Sequence, residues 1–175
     1  MLKKLMLVCV LGLALNAIAE ETVVWCPKDS IGKNKTWVKG ATAEVKENAL
    51  TMKFTGAEWA GVGLNWQSYW PKDSGVKIAD FKNLVIVLKV TGNASSLSLS
   101  LKDNTSKGSG FVYVKKYCMG ETIPVAYTAI TIPIKDFLTE KSKLESSVVW
   151  EIMFGTWSKE EKDITVSVNK IGFSK

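Results

Sequence analysis

Histidine is absent from the 175 residues, and with it go the Ser-His-Asp and Cys-His arrangements and the common zinc sites built on imidazole. Arginine is absent as well, so all 23 basic residues are lysine. The usual bidentate reader of phosphates and base edges is therefore missing, and the lysines are scattered among acidic neighbours with no basic run and no interleaved aromatics; no nucleic-acid partner is expected. The formal net charge of +6, two units of which come from Lys3 and Lys4, reads as a source of solubility. Long amphipathic helices, internal repeats, linkers and low-complexity tracts are also lacking.

Residues 1–19 have the form of a secretory signal. Lys3 and Lys4 precede an apolar run from Leu5 to Leu15, and Ala17-Ile18-Ala19 supplies small residues at the cut before Glu20 and Glu21. The run is too short to span a bilayer and no cysteine follows the cut, so neither an integral membrane segment after signal removal nor a lipid anchor is expected. Residues 20–175 are expected to form a single β-sandwich domain, secreted or periplasmic. Cys9 leaves with the signal, and Cys26 and Cys118 remain as a candidate disulfide in an oxidising compartment, with two separate buried thiols as the alternative.

Alternation of period two recurs along the chain. "ALTMKF" puts Leu50, Met52 and Phe54 on one face, "SLSLSLKD" does the same with Leu97, Leu99 and Leu101, and "AITIPI" and "DITVSV" repeat the pattern with Ile130, Ile132, Ile134 and Ile164, Val166, Val168. "VYVKKY" turns Val112 and Val114 inward and Phe111, Tyr113, Lys115 and Tyr117 outward. "NLVIVLKV" is continuously apolar and reads as a central strand covered on both faces. A short helical turn is expected near "IKDFLTEKSKLES", capped by Asp136, with Phe137, Leu138 and Leu144 inward. Many short strands separated by turn residues indicate an all-β antiparallel sandwich, and a jelly roll at this length.

The stretch "GAEWAGVGLNWQSYW" (56–70) is unusual. With Val62, Leu64 and Trp66 pointing inward, Trp59, Gly61, Gly63, Asn65 and Gln67 share the opposite face. Glycines weaken a strand and often mark close approach of a ligand or another backbone, and here an indole and two amides flank them, a surface suited to a sugar ring. Tyr69 and Trp70 follow in a loop that ends in a proline turn. "WEIMFGTW", read with Trp150, Ile152 and Phe154 inward, adds Glu151, Met153, Gly155 and Trp157 to the outward set. Trp25, Trp37, Trp66 and Trp150 are assigned to the core or to sheet edges, and the cluster of outward aromatics marks an interaction site.

Two other chemistries were weighed. A carboxylate pair can hydrolyse a glycosidic bond, and Glu58, Asp103 and Glu151 have suggestive neighbours; the acid would need an apolar pocket, which Trp59 could give Glu58. Adjacency of that kind is common among 17 acidic residues, and binding is preferred to a small glycoside hydrolase. For calcium there is no EF-hand spacing, and Asp103-Asn104 in "KDNTSKG" reads as a polar turn bonding its own backbone.

The segments "ADFKNLVIVLKVTG", "LSLSLKD", "YTAITIPIKDF", "VVWEIMFGTW" and "ITVSVNKIGF" occur in an order that resembles the galactose-binding-like jelly-roll carbohydrate-binding modules of the β-glucan-binding type. The resemblance spans roughly Gly56 to Phe173. It implies a non-catalytic domain that binds a polysaccharide or oligosaccharide through aromatic and polar residues of one sheet, here Trp59, Asn65 and Tyr113, with Trp157 near the rim. Many such modules hold a structural calcium near the chain ends. Here Asn169-Lys170 stands where related modules often carry paired acidic residues, and an ammonium repels a divalent cation, so neither cofactor nor metal is expected. The alternative is a cell-surface or periplasmic interaction protein whose aromatic patch covers a protein partner, for instance as a subunit of a larger exported assembly.

Overall fold

The computed structural model of the chain describes residues 21–25, 35–46, 48–65, 75–145, 147–159, 161 and 163–175. Alternating sequences of this kind must hide one face of each strand, and two sheets packed face to face do so. The strands are β1 (Glu21–Trp25), β2 (Lys35–Lys39), β3 (Ala41–Lys46), β4 (Ala49–Phe54), β5 (Ala60–Asn65), β6 (Val76–Lys77), β7 (Asn83–Thr91), β8 (Ser98–Asp103), β9 (Val112–Tyr113), β10 (Thr128–Pro133), β11 (Val148–Thr156) and β12 (Ile164–Ser174). The first sheet runs β10-β7-β12-β4-β3, with β1 also on β12; the second runs β2-β5-β11-β8-β9, with β6 also on β11. Every pairing is antiparallel.

Between the sheets lies one core. Met52, Leu84, Ile86, Leu88, Val166, Val168 and Phe173 enter it from the first sheet, and Val62, Leu64, Leu99, Leu101, Ile152 and Phe154 from the second, all fully buried. Each such side chain contributes about 1.5–3 kcal/mol of transfer free energy. The expected inward sets of β4, β8, β10 and β12 all lie in this core, as do Val62 and Leu64 of β5.

Four local expectations are corrected. β7 is flanked by β10 and β12 as a central strand should be, yet Val85 and Val87 on its outer face are only half-buried, so it is fully covered on one face. β9 stops after two residues because the chain tightens into a 3₁₀ turn at Val114–Tyr117. Tyr117 consequently leaves the outward row, packs at the edge of the core and donates its hydroxyl to Asp136 Oδ2 at 2.7 Å. The helical turn is a single 3₁₀ turn, Ile134–Asp136, in which Asp136 does not cap; Phe137 is buried and Leu144 packs on the core, while Leu138 is half exposed.

The fourth correction concerns Trp150. A register shift against β8 falls between Val149 and Glu151, and this bulge carries both Trp150 and Glu151 to the outer face between the inward Val149 and Ile152. Trp150 is therefore half-buried outside the core, on a central strand. A second irregularity, between Val168 and Lys170 on β12, lets the same strand present Val166 and Val168 and then Ile171 and Phe173 to the core.

Cys26 and Trp66 lie outside the described residues. Among the described residues Cys118 has no disulfide partner; it is half-buried, with Sγ 3.4 Å from the Val114 carbonyl oxygen. Burial pushes the pKa of this sulfur, taken as a thiol, upward.

Candidate functional site

Register across the outer face of the second sheet determines which residues meet. One row is Lys35, Asn65, Glu151 and Lys102; the next is Trp37, Gly63, Met153 and Ser100; the third is Lys39, Gly61, Gly155, Ser98 and Tyr113. Glycine thus occupies the middle of two successive rows, where side chains would otherwise stand off the sheet. A Cβ on Gly61 would sit 2.8 Å from Trp59 Cζ2 and 3.3 Å from Trp37 Cη2, and one on Gly63 would overlap the Trp37 indole. The cleared strip is therefore filled by the protein's own tryptophans, which lie down against the backbone.

Those indoles belong to a continuous aromatic row. Trp37 stacks on Trp59 with centroids 6.0 Å apart and planes 27° from parallel. Trp59 and Trp157 are also 6.0 Å apart, at 53°, and Phe111 meets Trp157 edge-on at 5.1 Å and 84°. Lys39 Nζ stands 4.9 Å above the Trp59 ring, a cation–π contact. Hydrogen bonds hold the ends of the row. Trp37 Nε1 donates to Glu151 Oε1 at 2.9 Å, Trp157 Nε1 to Ser98 Oγ at 3.1 Å, and the Trp157 backbone N–H to Ser96 Oγ at 3.0 Å. Glu161, buried, accepts from the Ser95 and Ser96 hydroxyls and the Ser96 N–H, and so ties the segment after β11 to the start of β8. Side chains fixed in this way lose little further entropy when a ligand lands on them.

Alongside the row runs a groove of about 690 Å³. Its apolar lining comes from Trp37, Phe111, Tyr113, Met153 and Trp157, and polar groups come from Ser100, Ser109, Lys102 and Glu151. Two loops, 103–110 and 139–145, wall one side, and Asp103 builds them. Its Oδ1 accepts from the N–H groups of Thr105 and Lys107 and from the Thr105 hydroxyl, and its Oδ2 accepts from the N–H of Glu145. Asp103 is thus a turn residue, as read from "KDNTSKG". A larger recess, about 820 Å³, opens at Ile78–Asn83 and Pro133–Leu138, away from the aromatic row.

Among the residues singled out in the sequence, Tyr113 and Trp157 line the groove, each a little over two-fifths exposed. Trp59 belongs to the aromatic row, between Trp37 and Trp157, and does not line the groove itself. Asn65 borders a small recess of about 120 Å³ shared with Lys102, Asp103, Ser106, Trp150 and Glu151. Gln67, Tyr69 and Trp70 lie outside the described residues. Trp37 does sit on an edge strand, β2, but its indole lines the groove and was not picked out from sequence. Its signal was present, since Gly63 directly across the ladder leaves the space it occupies. Ser98 and Ser100 are buried beneath this surface, and Ser100 lines the groove.

The arrangement offers little for hydrolysis. Among the described residues Glu151 is the one carboxylate in the groove lining, and one of its oxygens already serves Trp37. Glu58 is exposed and paired with Lys159 at 3.7 Å, so it lacks the apolar surroundings that make an acid catalyst. The geometry suits stacking and hydrogen bonding to a flat, hydroxyl-bearing ligand.

Comparison with known proteins agrees with this architecture. A family 11 carbohydrate-binding module from Clostridium thermocellum, solved with a β-1,3-1,4-mixed-linked tetrasaccharide, is similar with a TM-score of 0.58 and 13% identity, over 88% of this chain and 95% of that one. A variant of a family 29 carbohydrate-binding module solved with mannohexaose gives 0.57 and 12%, over 89% and 92%. Another variant of that module, solved with cellulohexaose, gives 0.55 and 10%, over 91% and 93%. At these identities the likeness establishes the fold, a carbohydrate-binding-module jelly roll. No curated protein sequence matches the chain. The family described as carbohydrate binding domain 30 matches residues 22–175, nearly the whole sequence outside the signal-like segment, and the chain belongs to that carbohydrate-binding family.

Proposed function

We propose that this non-catalytic domain holds a glycan chain along the outer face of the second sheet, with sugar rings against Trp37, Trp157, Phe111 and Tyr113 and hydroxyls bonded to Ser100, Ser109 and Glu151. The observation that carries the reading is the groove of about 690 Å³ lined by aromatics whose indole N–H groups are already bonded to the protein. Its size lies in the range of small-molecule sites. Oligosaccharides bound by the similar family 11 and family 29 modules support a ligand of several linked sugars. Trp157 is the most informative position to test, because it is exposed and removing it leaves the core intact. Trp157→Ala is expected to weaken binding to mixed-linked β-glucan or mannan by about fivefold, from roughly 1 kcal/mol per aromatic contact. Unchanged affinity with an intact circular dichroism spectrum would remove this residue from the site.

Export is part of the same proposal. It is supported by Lys3-Lys4, the apolar run and Ala17-Ile18-Ala19, and among the described residues no helix is long and apolar enough to cross a membrane. N-terminal sequencing of the protein recovered outside the cytoplasm should begin at Glu20; an intact Met1 there would refute cleavage.

A further inference from the structure

Among the described residues that line the groove, lysines outnumber acids: Lys102, Lys141 and Lys143 stand with Glu151, and Glu151 is buried with Oε1 engaged by the Trp37 indole. Other lysines face carboxylates: Lys107 pairs with Glu145 across the two wall loops, Lys115 with Glu121 and Lys159 with Glu58. Among the described residues none of the three groove lysines takes part in an ion pair. Lys102 stands beside Glu151 in the β8–β11 register and offsets it. That leaves Lys141 and Lys143 as cations of the groove lining with no ion pair among the described residues, on a loop that also carries Glu140 and Glu145.

Their position is built. The Lys143 N–H donates to the Gly108 carbonyl at 2.9 Å, Ser142 N–H to Thr139 at 2.8 Å, and Asp103 joins the 103–110 and 139–145 loops through Glu145. Like charges exposed at the rim of an aromatic-walled groove repel one another through solvent, and an anion entering the groove relieves that repulsion. We infer that the groove selects a negatively charged glycan, its rings on the aromatic row and its anionic groups toward Lys141 and Lys143. Lysine acts as a point charge without the planar fork that arginine offers to carboxylates, so carboxylate-bearing and sulfated sugars share the required chemistry. The inference rests on the glycan-binding reading above and names the class of sugar within it.

The test is binding of the intact mature chain to polygalacturonate, a sulfated galactan, mixed-linked β-glucan and poly-glutamate, by titration calorimetry at low ionic strength and again in about 1 M salt, where screening acts within about 3 Å. One of the two anionic glycans is expected to bind on the order of tenfold tighter than the neutral glucan at low salt, the sum of two exposed charge pairs, and to lose that advantage in high salt. Whichever of the two is preferred identifies the anionic group. The exposed double variant Lys141→Gln, Lys143→Gln should bring the ratio of anionic to neutral affinity toward one. Equal or tighter binding of the neutral glucan, insensitive to salt, would overturn the charge inference and leave glycan binding standing. Poly-glutamate bound as tightly as the anionic glycans would overturn it as well, since carboxylates without rings would then suffice. Failure to bind any glycan would overturn both readings.

Discussion

Gly61 and Gly63 give the groove its shape by what they omit. Each faces outward in the middle of the second sheet, and the space a side chain would take is occupied by the Trp59 and Trp37 indoles. From the sequence the two glycines read as a place cleared for a ligand; in the folded chain they clear a place for the Trp59 and Trp37 indoles, of which Trp37 lines the groove. Gly63→Ala should therefore act through Trp37. The added methyl overlaps the indole, lifts it from the backbone and strains its bond to Glu151, so a loss of about 1–3 kcal/mol in denaturant unfolding is expected, together with weaker glycan binding. Trp37→Phe separates the two effects. It keeps an aromatic surface but removes the donor to a buried carboxylate, a cost of about 1.5–3 kcal/mol. Equilibrium unfolding of the two variants, followed by tryptophan fluorescence, checks both expectations; wild-type stability in either would show that Trp37 is not held as described.

At the scale of elements, bulges and tight turns decide which residues reach the site. The bulge at Trp150–Glu151 brings Trp150 to the outer face beside Glu151, whereas a strictly alternating β11 would have sent Trp150 into the core. Where β9 tightens into its 3₁₀ turn, Tyr117 swings from the outward row to Asp136, 2.7 Å away. Burial, followed by the hydrogen bond and the negative charge of Asp136, pushes the Tyr117 pKa up from 10.0 to about 12. The folded state thus holds this proton more tightly than the unfolded chain. Its stabilising contribution is complete below pH 10 and is lost as pH rises toward about 12. Tyr117→Phe should flatten the stability profile across that window, measured by denaturant midpoints at stepped alkaline pH; an unaltered slope would mean that other groups control it.

For the whole molecule, binding on an open face predicts weak affinity for one sugar and a steep gain with chain length, since each further ring adds a contact to an already tethered ligand. Hexasaccharides should outbind disaccharides severalfold in calorimetry, whereas equal affinities would indicate a site for a chain end. Calcium-independent binding is expected, because Asn169-Lys170 on β12 offers a divalent cation an ammonium and no carboxylate. Dialysis against EDTA should leave affinity and melting temperature unchanged, and a drop in either would reveal a metal.

The fold was largely legible in the chain because a half-buried strand must alternate, and β4, β5, β8, β10 and β12 each carry their inward residues at that spacing. The absence of histidine and arginine narrowed the chemistry with equal directness. Alternation assigns faces only within one strand and only while the register holds. It therefore placed Tyr113, Met153 and Trp157 outward correctly, and failed at Trp150, where a bulge resets the parity. Nor could it find Trp37, whose role depends on a glycine across the ladder, or Lys141 and Lys143, which reach the groove because Asp103 fastens two distant loops. Local pattern fixed the two-layered sandwich and the aromatic face; long-range hydrogen bonding alone decided which aromatics and which charges share one groove.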